Sequence, residues 1–204
     1  MSGALDFLSP GLAHDDNGFH PVARSPLERL YRAAGATFEE RDRWLVATAV
    51  PREADRLRHV GIADLSHLGK LDVRPAPPDV DGATTYRLSP RRALVLFPAA
   101  ARKRVENGLP DPTRAVDVTA AYAVLGVTGP EARALLGRLT HLHDFPCGGE
   151  VAHVTAHVLP SGDGYRLVVA QELGLYLAEV ALDTAEALGG GLVGVDVLPP
   201  EERA

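Results

Sequence analysis

The spacing of apolar residues alternates along this chain between a period of two and a period of 3.6. The clearest stretch runs from Ala115 to Leu139. Val116, Val118, Val124, Leu125 and Val127 give two short β-branched and apolar runs, which predict strands. Thr128-Gly129-Pro130-Glu131 then reads as a helix start. Pro130 loses no hydrogen bond at the first helical position, and Glu131 sets a negative charge in the first turn, where the helix dipole favours it. Ala132, Leu135, Leu136 and Leu139 follow as one apolar stripe.

The pattern continues towards the C-terminus. Val151 to Leu159 is predicted as one strand, Pro160 to Gly164 as a turn and Tyr165 to Ala170 as the returning strand. Leu173, Tyr176, Leu177, Val180 and Ala181 have helical spacing, Gly189-Gly190-Gly191 stops that helix, and Leu192 to Val197 is a last strand. The order is the βαββαβ of a ferredoxin-like unit.

Upstream, residues 1–24 show no periodicity and read as a flexible arm. Ser25-Pro26-Leu27-Glu28 is a capping box, with Leu27, Leu30, Tyr31 and Ala34 as the buried stripe and Gly35 as the stop. Ala36 to Arg41 and Trp44 to Val50 are extended. Pro51 to Val60 reads as a short helix with Ala54, Leu57 and Val60 inward. Gly61 to Leu65 is a strand, Ser66 to Lys70 a turn, and Leu71 to Val73 the return. After a Pro-, Asp- and Gly-rich loop, Tyr86–Leu88 and Ala93–Phe97 form a hairpin, and Pro98 to Asn107 a helix closed by Gly108. The proline-flanked Leu109–Pro112 suggests a boundary, giving halves at residues 25–110 and 111–204. The fold class is α+β.

Composition narrows the function. Among 204 residues, 46% are hydrophobic and 24% charged, enough for a packed core, and the net charge is −6. An acidic chain is a poor general nucleic-acid binder. The local runs Arg91-Arg92 and Arg102-Lys103-Arg104 read as solvated surface. The single cysteine, Cys147, excludes an internal disulfide and a thiolate zinc cluster. Neither a signal peptide nor a membrane span is read, so the expected location is cytoplasmic.

Few residues offer chemistry. Asp64, Ser66 and His67 sit together at a strand–turn. They either line a polar ligand pocket or satisfy the backbone of a tight turn. Asp163 has the same two readings in the hairpin turn. Tyr122 and Tyr165 could stack on a flat heterocycle or sit half-buried in a sheet. His153 and His157 on one predicted strand would be about 13 Å apart, too far to share a metal locally. No metal site is read.

Three segments resemble one family, in that family's order. Ser25–Phe38 (S-P-L-E-R-L-Y-R-A-A-G-A-T-F) is similar to the opening of glycine-cleavage T-proteins, the aminomethyltransferases. His59–Val73 (H-V-G-I-A-D-L-S-H-L-G-K-L-D-V) resembles their D-x-S-H-x-G-K loop. Val116–Leu136 and Ser161–Val169 resemble the later part of the same domain, and that second half also resembles the gamma subunit of heterotetrameric sarcosine oxidase. The resemblance implies a T-protein-like folate-binding fold without the C-terminal barrel of the transferases. It implies tetrahydrofolate as cofactor, with Asp64, Ser66, His67, Tyr122, Asp163 and Tyr165 as the residues to hold it. Two family features are replaced. Gly82 to Arg87 stands where the transferases carry an acidic pair, and Gly162 stands where they carry a pterin-binding glutamate. The expected role is therefore a non-catalytic subunit or accessory protein in one-carbon or amine-oxidation metabolism. Its partner would be a flavin amine oxidase or T-protein-type subunit. The alternative is a tetrahydrofolate-dependent aminomethyltransferase or demethylase reduced to its core.

Overall fold

A computed structural model describes Leu8, residues 20–200 and Arg203. The predicted arm therefore lies mostly outside the described residues. Its end, Ala23–Arg24, is a short strand, β1. The first helix, α1 (Glu28–Ala33), starts as expected after Ser25, but its capping box does not close. The Ser25 hydroxyl accepts from the Leu27 N–H at 3.1 Å, while the Glu28 carboxylate takes Arg24 and Arg32, each at 2.6 Å. Two guanidiniums within reach outcompete one backbone N–H. Gly35 ends the helix in the left-handed region, at φ 75°.

Strands β2 (Thr37–Arg41) and β3 (Trp44–Ala49) form a hairpin, and β1 joins β3 in parallel to complete a three-stranded sheet. The next helix, α2 (Glu53–Arg56), is a single turn, and Ala54 is exposed rather than inward. Strand β4 (Gly61–Asp64) follows. The chain does not then return on β4 as expected. Leu65 to Leu68 carries it into a different sheet, where β5 (Gly69–Val73) pairs with β7 (Arg92–Phe97) and β8 (Ala115–Asp117). With β6 (Thr84–Ser89) this sheet has the order β6-β7-β5-β8. Helix α3 (Arg102–Gly108) covers its outer face, burying Val105 and Leu109 with Leu71, Val73, Val95 and Phe97.

The largest sheet has six strands in the order β10-β11-β12-β9-β4-β13. Strand β9 is Tyr122–Thr128, and α4 is Ala132–Leu139, with Ala132, Leu135, Leu136 and Leu139 buried as the spacing predicts. The expected single strand at Val151–Leu159 is instead a hairpin, β10 (Cys147–Val151) and β11 (Val154–Ser161). Ala152 and His153 turn it with φ of 47° and 66°. The sequence hid this turn because neither residue is a usual choice for two successive positive φ angles. Strand β12 (Gly164–Ala170) and helix α5 (Gly174–Glu186) come next; Tyr176 stays 41% exposed while Leu177, Ala178, Ala181 and Ala185 face the core. The last strand, β13, is only Gly191–Leu192.

The element order of the second half is thus close to the expected βαββαβ, but its strand order is not ferredoxin-like. In that unit the last strand would pair with the first. Here β4 from the first half lies beside β9, antiparallel, and β13 pairs with β4 in parallel. Helices α1, α4 and α5 pack on one face of the six-stranded sheet through Tyr31, Leu125, Leu135 and Leu177. The other face meets the two smaller sheets through Leu65, Val124 and Val168 against Val46, Tyr86, Leu94 and Leu96. The result is helices, sheet, sheet and helix in layers. No helix among the described residues is long and apolar enough to cross a membrane.

Candidate functional site

Successive strand residues face opposite sides of a sheet. On β4, Asp64 shares the helix-side face with Ile62, and Ala63 shares the inter-sheet face with Leu65. The motif Asp64 to Lys70 therefore crosses from one layer to the other, carrying buried polar groups at both ends. The Asp64 carboxylate is buried and accepts from the Ser66 N–H at 3.0 Å, with the Ser25 and Ser66 hydroxyls also bonded to it. Burial raises its pKa above the usual carboxylate value, and those hydrogen bonds and the Lys70 charge oppose the rise. The Ser66 Oγ accepts from the Val124 N–H at 3.1 Å, tying the turn to β9.

Lys70 is fully buried. Its Nζ curls back to donate to the carbonyls of Ser66 at 2.9 Å and Leu68 at 2.8 Å. Its own N–H donates to Thr119 Oγ1 at 3.0 Å. The Thr119 N–H donates to Asp117, and Asp117 pairs with the nearly buried Arg102 at 2.9 Å. Burial pushes the Lys70 amine down to about 7, against the pull of Asp64 and Asp117. His67 is half-buried between these elements. Burial first, then the Lys70 and Arg41 charges, push its pKa down to about 3, so it is neutral at pH 7.

A polar chain thus runs from α3 through the motif to the start of α1: Arg102, Asp117, Thr119, Lys70, Ser66, Asp64. Each member bonds a protein partner. Tyr31 closes the same region, donating its hydroxyl to the Ile62 carbonyl at 2.8 Å and the Val193 carbonyl at 3.3 Å. Buried polar groups fully bonded in this way fix a unique backbone path.

The other expected residues do not gather around this turn. Tyr122 is half-buried at the start of β9, opposite Ala170, on the edge of an open depression shared with Pro26 and Leu175. Tyr165 pairs with Val127, five strand positions away, or about 17 Å at the rise of a strand. Its ring meets Phe145 edge to face, with centroids 5.4 Å apart. The two tyrosines therefore do not stack on one heterocycle in this arrangement. Asp163 is exposed at the tip of the β11–β12 turn. There Gly164 lies so close to β9 that a Cβ would stand 2.0 Å from the Val127 carbonyl oxygen. His153 is in the β10–β11 turn and His157 inside β11, and among the described residues no three His, Cys, Asp or Glu side chains are placed to hold a metal.

Two residues outside the expected set matter most. Lys70 is one. The other is Arg166, which is 1% exposed on β12, with the Tyr86 ring and Ser161 beside its side chain. The signal was clear only for Arg166, a lone cation inside an otherwise apolar strand; Lys70 shares β5 with Asp72. The space between Leu65, Gly126, Ser161, Tyr165, Arg166 and Leu198 is only about 10 Å³. It takes at most one water and does not fit a pterin ring.

Known structures share this architecture. The glycine cleavage system aminomethyltransferase T from Bartonella henselae superposes with a TM-score of 0.66 at 18% identity, over 86% of this chain and 60% of that one. A subunit of the heterotetrameric sarcosine oxidase from Corynebacterium sp. U-96, solved in complex with pyrrole 2-carboxylate, superposes with a TM-score of 0.59 at 16% identity. That match covers 84% of this chain and 99% of the subunit. No family model matches the sequence, and no curated protein does. The chain spans about three fifths of the aminomethyltransferase's length. At these identities the likeness is one of fold: the chain is built like the T-type aminomethyltransferase and like this sarcosine oxidase subunit.

Proposed function

We propose that this chain is a non-catalytic module of the folate-binding type, acting as a subunit beside a partner in one-carbon or amine-oxidation chemistry. The observation that carries the reading is the closure of the Asp64–Lys70 turn. Its carboxylate, hydroxyl and amine are each spent on the protein's own backbone and side chains, and the space between Leu65, Ser161 and Arg166 beside it measures only about 10 Å³. A site for a pterin would need some of those groups turned to a cavity. The likeness to nearly the whole of a subunit from a heterotetramer supports a role within an assembly. The test is an assay of the isolated chain for aminomethyl transfer to tetrahydrofolate. No turnover is expected, and measurable turnover would contradict the reading.

One observation favours the second reading, a folate-dependent aminomethyltransferase or demethylase reduced to its core. A buried carboxyl with a raised pKa and a buried amine with a lowered one, each feeling the other's charge within one short motif, are a pair that acid–base chemistry could use. On that reading Asp64 orients the pterin, and Asp64→Ala lowers both turnover and tetrahydrofolate binding. On the first reading the variant loses stability alone.

A further inference from the structure

The four-stranded sheet ends in a ring of arginines. Arg74 follows β5, Arg91 and Arg92 sit at the β6–β7 turn, and Arg114 precedes β8. With Pro75 and Ser89 they line an open depression of about 590 Å³. The sequence separates these residues by up to 40 positions, so Arg91-Arg92 alone reads as solvated surface; the antiparallel pairing brings all four to one end. The Arg74 N–H bonds the Arg114 carbonyl at 3.2 Å.

The ion pairs of the rim engage two carboxylates. Asp72 lies largely buried beneath it and takes the Nε of Arg74 at 3.2 Å and of Arg92 at 3.0 Å. Asp111 takes the Nε of Arg114 at 3.0 Å. Four guanidiniums against two carboxylates leave two positive charges in excess, on a chain whose net charge is −6. Arg91 is exposed and has no ion-pair partner among the described residues, and the side chains of Arg74 and Arg114 stay 65% and 62% exposed. Asp72 fixes Arg74 and Arg92 from below, so less side-chain entropy is lost when they bind.

Beside the rim lies β8, an edge strand with no described strand on its outer side. Its Val116, two residues from Arg114, is 61% exposed, the most exposed large hydrophobic side chain among the described residues. Arginines next to an exposed apolar residue make a common interface composition. The depression is too open to enclose a small molecule.

The geometry points to this arginine rim, with β8, as the docking surface for a partner protein that presents a cluster of Asp and Glu side chains. The inference rests on the reading of the chain as a partner-dependent module and names the surface it would use. Its test needs no folate, so the two can fail separately. The full chain is titrated with a fluorescent decaglutamate peptide by anisotropy at low salt. Saturable binding is expected, weakening steeply as salt rises. The double variant Arg91→Glu, Arg114→Glu should bind at least ~10-fold more weakly, and a control pair on the exposed side of α4, Arg133→Glu with Arg138→Glu, should bind as wild type. If the Arg114 substitution disturbs its turn, Arg91→Ala alone, which breaks no described ion pair, should still weaken binding about threefold. Absence of saturation, or equal weakening by the control pair, would overturn the inference. Tighter binding of inorganic pyrophosphate, or of an oligonucleotide of equal charge, would overturn it too, by assigning the rim to a small anion or to nucleic acid.

Discussion

Lys70, near the start of β5, and Arg74, just past its end, stand four residues apart and meet opposite surroundings. The Lys70 amine is fully buried, bonded to two carbonyls of its own turn and pushed down to about 7. The Arg74 guanidinium is mostly in solvent, held on one side by Asp72. At one end of the strand a cation is used to hold the chain's path from sheet to sheet; at the other, cations from neighbouring strand ends are presented outward. Buried cations cost several kcal/mol in desolvation unless fully bonded, so the first end is built for one geometry. Exposed guanidiniums add little to stability, so the second end keeps its capacity for a ligand. Charge alone does not separate structure from recognition here; the number of partners already satisfied does.

Substitutions at the buried end should have the largest effects. Lys70→Ala removes the donor for the Ser66 and Leu68 carbonyls and opens a cavity, with an expected loss of about 4 kcal/mol in urea unfolding. A loss below about 1 kcal/mol would mean that water already solvates this amine. The same lysine gives a pH signature. Its folded pKa lies below its unfolded value of 10.5, so the unfolded chain binds more protons between about 7 and 10, and stability should rise with pH across that window. Tyr31, whose pKa is raised, acts with the opposite sign only above 10. Lys70→Met should flatten the rise, and an unchanged slope would break the comparison.

A smaller effect is expected at Ser66. Ser66→Ala leaves the buried Val124 N–H unpaired and should cost about 2 kcal/mol. The smallest is at Asp163, exposed in its turn, where Asp163→Ala should shift stability by no more than about 0.5 kcal/mol. A larger change there would show that the β11–β12 turn carries structure it is not credited with.

Much of this was legible in the sequence where a repeat of two or 3.6 was undisturbed. The α4 stripe and the β6–β7 hairpin follow directly from apolar spacing, and the resemblance pointed to the shared fold. What failed was non-local. No local pattern could say that Leu65–Leu68 leads to a second sheet, because that depends on β9 capturing β4 through four residue pairs, Gly61–Asp64 with Leu125–Thr128, and on the Leu65 N–H bonding the Val124 carbonyl. The Ala152–His153 turn was invisible because its side chains disfavour the backbone they adopt. Among the candidate residues, Asp64, Ser66 and His67 do share one turn. Tyr122 and Tyr165 share only their residue type, and strand register sets them apart. Arg166 is a lone cation in an apolar run and Lys70 alternates with apolar residues and Asp72, signals whose meaning depends on what each side chain meets across the layers.

On this reading the Asp64–Lys70 turn is scaffold. Its most direct test is an equilibrium titration of the purified chain with tetrahydrofolate under anaerobic conditions. No saturable binding is expected up to millimolar concentration. Binding in the micromolar range, weakened by Asp64→Ala in a variant shown to be folded, would contradict it.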